Sequence, residues 1–206
     1  FGSLLAIIFY FKKELLDFIN NKKLFLKIIL SSVPVIVFGF ILVKLNLIDY
    51  LRNYKIIGWT TIFFGILLYV GDLVKTKKTI KKDLNYKSVF YIGFFQAISL
   101  IPGVSRSGIT ITAGRFLNFS RTDSSKISFL MSIPTLTAVG LYNFKDLYLE
   151  NNFEVSKLNI FAIILSFIFS FFTIKLFFNY IRKSSLTVFV IYRIFLGLVV
   201  LFFSYT

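Results

Sequence analysis

Long apolar runs alternate with short charged stretches from one end of the chain to the other, and their spacing predicts helices that cross a membrane. A helix needs roughly 20 apolar residues to span a hydrocarbon layer of about 30 Å. Five runs meet or approach that length: Ile28 to Ile48, Ile56 to Val74, Ile127 to Tyr142, Leu158 to Phe178 and Leu186 to Phe203. A sixth, Phe1 to Phe11, is partial and reads as the tail of a membrane helix. A different object lies between the second and third runs. Val89 to Ile101 is apolar but only about 20 Å long as a helix, stops at Pro102-Gly103, and is followed by the more polar Ser105 to Leu117. Two half-helices meeting near mid-membrane fit this pattern, as a re-entrant hairpin around residues 89–118. Two full crossings would keep the same parity, although each half is short for one.

Loop charge orients the spans. Lys12 to Lys27 carries a net +3 and Lys75 to Lys87 a net +5, so both are expected on the cytoplasmic side. Asn46 to Lys55, at +1, and Asn143 to Lys157, at −1, then lie outside, while Arg115 to Lys126 and Asn179 to Ser185, each at +2, lie inside. The expected fold is all-α: one polytopic membrane domain over residues 1–206, with about five full transmembrane helices, a partial N-terminal helix and the hairpin.

Composition agrees. The chain is 57% hydrophobic and 16% charged, against roughly 45–50% and 25% in soluble domains. Its formal charge of +15 does not point to nucleic acid, because the Lys and Arg lie between apolar runs. Cysteine and histidine are both absent, which excludes disulfides, thiol nucleophiles and a histidine general base. The chain begins at Phe1 and its only methionine is Met131, which predicts an N-terminally truncated polypeptide; no signal-peptide pattern opens it.

The chemistry concentrates at Pro102-Gly103-Val104-Ser105-Arg106-Ser107-Gly108. Pro102 lacks a backbone donor and Gly103 is conformationally free, so the chain turns and exposes a new helix N-terminus. Free amides and the helix dipole favour an anion there. Arg106 adds a fork suited to phosphate oxygens, Ser105, Ser107 and Thr110 add hydroxyls, and Gly108 permits close backbone approach. A plain helix cap with a snorkelling Arg106 is the bland alternative, but an arginine at membrane depth is costly and usually functional. Gln96 could line the same cavity through its amide. Arg193, inside the last span, needs a partner, and substrate binding and interhelix hydrogen bonding are equally open; Tyr192 is expected on a different face. Asp72, beside Lys75, reads as an interfacial ion pair, and Glu14 and Asp17 as a solvated helix face.

Phe95-Gln96-Ala97 and the run from Leu100 to Thr110 resemble the second signature of undecaprenyl pyrophosphate phosphatases of the bacitracin-resistance type. The likeness extends through Ser128-Phe129-Leu130, Ile133-Pro134 and Ile191-Tyr192-Arg193, and Leu5 to Leu15 resembles the stretch after the family's first signature. The resemblance implies an enzyme of the bacterial inner membrane that hydrolyses undecaprenyl diphosphate to the monophosphate, with a divalent cation, Mg²⁺ or Ca²⁺. It would thereby recycle the lipid carrier of cell-wall synthesis. It further implies that Arg106 binds the diphosphate and stabilises developing charge, that Ser105 and Thr110 bind phosphate or a serine acts as nucleophile, and that Gly103 and Gly108 shape the loop. The expected partners are the polyprenyl diphosphate and membrane lipids, with a homodimer left open and no nucleic acid. The Glu-containing first signature is not present in this chain, so no metal ligands are expected among its residues. A lipid-phosphate carrier or flippase is the competing class, because broken helices also build anion sites in transporters.

Overall fold

In the computed structural model, which describes residues 1–20, 22–149 and 157–205, the chain is a bundle of helices. Four helices are long and apolar enough to cross a bilayer among the described residues: Phe25–Lys44, Tyr54–Leu73, Lys157–Ile181 and Thr187–Tyr205. We number the helices in chain order: α1 Gly2–Tyr10, α2 Lys12–Asn20, α3 Lys22–Lys44, α4 Leu47–Leu51, α5 Tyr54–Leu73, α6 Ile80–Asp83, α7 Tyr86–Ile98, α8 Arg106–Phe116, α9 Arg121–Leu149, α10 Lys157–Ile181 and α11 Thr187–Tyr205. The fifth expected run, Ile127 to Tyr142, lies inside α9. Large apolar side chains stay exposed around the bundle, including Phe63, Leu158, Phe169, Leu176 and Phe203. Such a surface is stable only against hydrocarbon, so the protein is a membrane protein.

Two basic or acidic stretches expected as loops are partly helical. Lys12 to Lys27 contains α2 and the first turns of α3, and Glu14 pairs with Lys126 at 3.1 Å rather than facing water alone. Asn143 to Lys157 is entered by the end of α9, and its segment 150–156 lies outside the described residues.

The hairpin takes the expected form. Asn85 caps α7 by accepting from the Ser88 amide at 2.8 Å, and α7 stops at Ile98, where Ser99, Leu100 and Ile101 wind a tighter turn with bonds back to Gln96, Ala97 and Ile98. α7 and α8 are about 20 and 16 Å long, too short for two crossings. Their tip ends inside the bundle: Thr60 and Thr61 of α5 donate to the carbonyls of Pro102 and Gly103 at 2.7 and 3.2 Å. At the other end, the amides of Lys77 and Lys78 donate to Asn118, so the hairpin returns beside the loop it left. It is re-entrant.

Small residues let the backbones approach. An added methyl at Gly93 of α7 would lie 2.2 Å from the Ser31 carbonyl of α3, and one at Gly114 of α8 would lie 2.8 Å from Ser124 Oγ of α9. The buried face of α9 carries Ser124, Ser125, Ser128, Ser132 and Thr135, which explains why this span is the most polar. An apolar core of Phe11, Phe119, Met131, Phe178 and Leu186 packs between α1, α9, α10 and α11.

Candidate anion site at the start of α8

Ser105 caps α8 from a left-handed backbone (φ 65°, ψ 112°), its Oγ accepting from the Gly108 amide at 3.3 Å. Gly103, at φ 88°, makes the turn before it. The first turn of α8 opens onto a cavity of about 510 Å³ lined by Ser105, Ser107, Gly108 and Ile111, by Tyr192 and Arg193 of α11, and by Phe129, Phe169, Phe177 and Phe189. Three of those rings are in contact, Phe129–Phe177 tilted at 5.8 Å and Phe177–Phe189 edge-on at 5.4 Å between centroids.

Arg193 is the electrostatic centre of this cavity. It is 8% exposed, and its Nη2 donates to the Gly103 carbonyl at 2.8 Å. Its Nη1 is buried without a hydrogen-bond partner. One nitrogen therefore ties α11 to the hairpin tip, as the interhelix reading expects, and the other is spare. Glycines make room for it, since a methyl on Gly65 would lie 3.3 Å from Arg193 Cβ and one on Gly108 would lie 2.7 Å from Nη1. A guanidinium is thus held against the positive end of a helix, with no Asp or Glu among the residues lining the cavity. Two like charges are brought together away from water, and an anion between them would offset both.

The remaining expected residues separate into two groups. Ser107 and Gly108 line the cavity with Ser105. Thr110 does not: its Oγ1 donates to the carbonyls of Arg106 and Ser107 and pairs with Ser128 Oγ of α9 at 2.6 Å. Positions 107, 108 and 111 share one face of α8, whereas 106 and 110, one turn apart, share another. Gln96 is also absent from the cavity. It is fully buried and donates from Nε2 to Thr135 Oγ1 at 2.8 Å, tying α7 to α9, while its Oε1 has no partner. Arg106 is half-buried at the head of α8, off the cavity wall, and its guanidinium makes no hydrogen bond or ion pair among the described residues. Tyr192, expected on a different face, is on the cavity rim beside Arg193.

Thr60 and Thr61 clamp the tip, and their trace in the sequence is a Thr pair inside an apolar span. Asp72 does form an ion pair, with Arg121 of α9 rather than with Lys75. Among the described residues no three His, Cys, Asp or Glu side chains come together.

The family model described as "Bacitracin resistance protein BacA" matches residues 1–199. The chain is 49% identical over 205 residues to a protein of Pelagibacter ubique (strain HTCC1062) named undecaprenyl-diphosphatase, covering 99% of this chain and 80% of that one. A protein of Campylobacter curvus (strain 525.92) with the same name is 39% identical over 216 residues, 98% of this chain and 80% of its own. One from Jannaschia sp. (strain CCS1), also so named, is 34% identical over 218 residues, 99% and 81% of the two chains.

Proposed function

Because the chain belongs to the BacA family of bacitracin resistance proteins, we propose that it is a membrane hydrolase converting undecaprenyl diphosphate to undecaprenyl phosphate and inorganic phosphate. The observation that carries this reading is the buried, half-unpartnered Arg193 facing the N-terminus of α8. A diphosphate supplies the negative charge that this arrangement lacks, and the phenylalanine-lined wall suits the lipid to which it is attached.

The chemistry is attack of a water oxygen on the terminal phosphorus with cleavage of its bond to the bridging oxygen, so negative charge grows on the departing lipid phosphate. Arg193 Nη1, the free amides at the start of α8 and the hydroxyls of Ser105 and Ser107 are donors for that charge. Arg106, free of other partners in the same first turn but off the wall of this cavity, is the second guanidinium that the resemblance implies. Gly103 and Gly108 set the approach. The proton of the attacking water goes to a base that is not among the residues lining the cavity. Its action would return the lipid carrier to cell-wall synthesis and confer bacitracin resistance, from the inner membrane of a bacterium and in contact with membrane lipids. Mg²⁺ or Ca²⁺ and a homodimer belong to the same proposal, on the resemblance alone.

The test is phosphate release from undecaprenyl diphosphate by the purified chain in detergent. Removing a transition-state donor costs about 2.7–4 kcal/mol, so Arg193→Ala and Arg106→Ala should slow release roughly 100-fold or more. Lys78→Ala, in a basic loop, should stay within about twofold, and Arg106→Lys should recover little because the fork is lost. Equal rates for all variants would sink the assignment. Tight binding without release would favour the lipid-phosphate carrier, a reading supported by the same donors and the lack of a base in the cavity wall.

A further inference from the structure

Among the described residues no Asp or Glu other than Asp72 is buried. Its carboxylate, near the end of α5, accepts from Nε and Nη2 of Arg121 at 2.5 and 3.0 Å and from the Leu186 amide at 3.0 Å. Arg121 opens α9 and Leu186 immediately precedes α11. On the same stretch of α5, Arg115 from the last turn of α8 donates to the carbonyl of Asp72 at 3.1 Å and to that of Val74. Arg115 also donates to Thr76 Oγ1 at 3.0 Å and to the Phe119 carbonyl at 2.6 Å. The end of α5 is thereby fastened to the starts of α9 and α11 and to the end of α8.

This clasp meets the cavity at Leu186, which is part of its wall, but is remote from the two arginines. Arg115 is about 13 Å along α8 from Arg106, and Leu186 is about 10 Å along α11 from Arg193. Yet α5 also holds the hairpin tip, through Thr60 and Thr61, about 17 Å further along its axis. The hairpin is therefore pinned to α5 at both ends. α11 is pinned to it at Asp72 and slides against it nowhere else without consequence, because Arg193 crosses Gly65 and Gly197 sits 3.0 Å, by its added methyl, from the Gly58 carbonyl. A buried ion pair contributes little net stability over an apolar substitute; what it can contribute is a single arrangement of the groups it joins.

We propose that Asp72 is a positioning residue that sets the axial register of α8 and α11 on α5 and so holds Arg193 Nη1 against the start of α8. It rests on the reading of the cavity as a diphosphate site. Asp72 itself touches no substrate. Removing its charge takes away the ion pair with Arg121 and leaves one acceptor oxygen where there were two, so the hold on the Leu186 amide weakens, and a shift of α11 by a fraction of a turn carries Arg193 out of line.

The test measures the Kd of farnesyl diphosphate by calorimetry for the purified chain in micelles, in a double-mutant cycle of Asp72→Asn and Arg193→Ala. Arg193→Ala should weaken binding about 10–100-fold, as loss of a charge-assisted donor, and Asp72→Asn about tenfold. In the Arg193→Ala background, Asp72→Asn should add less than about twofold, since its effect passes through that arginine. Arg121→Lys, which keeps the charge and loses the fork, should repeat the pattern and carries the comparison if Asp72→Asn does not fold. Equal effects of Asp72→Asn with and without Arg193, or no effect at all, would overturn the positioning role while leaving the diphosphate site intact. No effect of Arg193→Ala would overturn both.

Discussion

Replacing Gly103 with alanine tests the geometry of the site most directly, because the cost can be worked out contact by contact. An added methyl would lie 2.2 Å from Thr60 Oγ1, 2.6 Å from the Ile57 carbonyl and 2.9 Å from Thr61 Oγ1. A threonine hydroxyl can rotate, but the Ile57 carbonyl belongs to the backbone of α5. Bringing that contact out to an ordinary 3.4 Å requires a displacement of about 0.8 Å. The residue also keeps φ near 88°, which costs a residue bearing Cβ roughly 1–2 kcal/mol. Three hydrogen bonds end on the tip: from Thr60 to Pro102, from Thr61 to Gly103 and from Arg193 to Gly103. Losing the arginine bond and one hydroxyl bond adds roughly 2–4 kcal/mol. The sum, about 3–6 kcal/mol, exceeds what a local rearrangement can absorb, so the tip withdraws from α5.

A displacement near 1 Å in a positioned group can cost about 100-fold in rate. Gly103→Ala should therefore reduce phosphate release by about that factor and weaken farnesyl diphosphate binding at least tenfold, with a lower melting temperature in detergent. Adding Thr60→Ala removes the 2.2 Å clash but not the carbonyl clash, and should restore only a minor part. Retention of affinity within twofold by Gly103→Ala, or full rescue by Thr60→Ala, would refute the claim that the α5 backbone fixes the tip.

Three further outcomes are expected. Ser105→Gly relieves a left-handed serine while losing a long cap bond, so it should melt at or above the parent temperature, whereas Ser105→Ala keeps the strain and should lose about 1 kcal/mol; the reverse order by thermal melting would contradict the backbone assignment. Thr110→Val strands the buried Ser128 hydroxyl and should cost about 1–3 kcal/mol of stability, while diphosphate affinity stays within twofold, because Thr110 faces α9; a large loss of affinity in calorimetry would put Thr110 back in the site. Chelation by EDTA should leave the Kd of farnesyl diphosphate for this chain unchanged, since the donors in the cavity are guanidinium, amide and hydroxyl groups; a tenfold weakening would reveal cation ligands.

Much of the fold was legible because the bilayer constrains it so strongly. Backbone groups in hydrocarbon must be paired within helices, so run length and loop charge were sufficient to place α3, α5, α10 and α11, and the Pro102-Gly103 break sufficed for the hairpin. α2 was less visible. Its lysines read as a loop, whereas an interfacial helix can keep such residues in water along one face. The polar inner face of α9 was hidden for a related reason: serines and threonines that satisfy their hydroxyls on the preceding turn, as Ser132 does on Phe129 and Thr135 on Met131, are tolerated in a span and signal close packing.

The site was only half legible, and the reason lies in the periodicity of α8. Reading Ser105 to Thr110 as one string made every polar side chain a candidate for the same ligand. Once the string is helical, successive residues turn through about 100°, so a single cavity can meet only some of them. Ser107 and Gly108 open toward α11, while Thr110 is committed to Ser128 on the opposite helix. Gln96 likewise turns its amide to another helix, where Thr135 of α9 takes it up. What replaces them comes from a distant part of the chain. Arg193 follows Arg106 by 87 positions, and nothing in a linear reading brings the two to one helix terminus. The contact is made by α5, whose Gly65 lets Arg193 pass and whose Thr60 and Thr61 hold the tip that Arg193 also grips. The anion site is therefore a property of three helices meeting, with the signature loop supplying one wall of it.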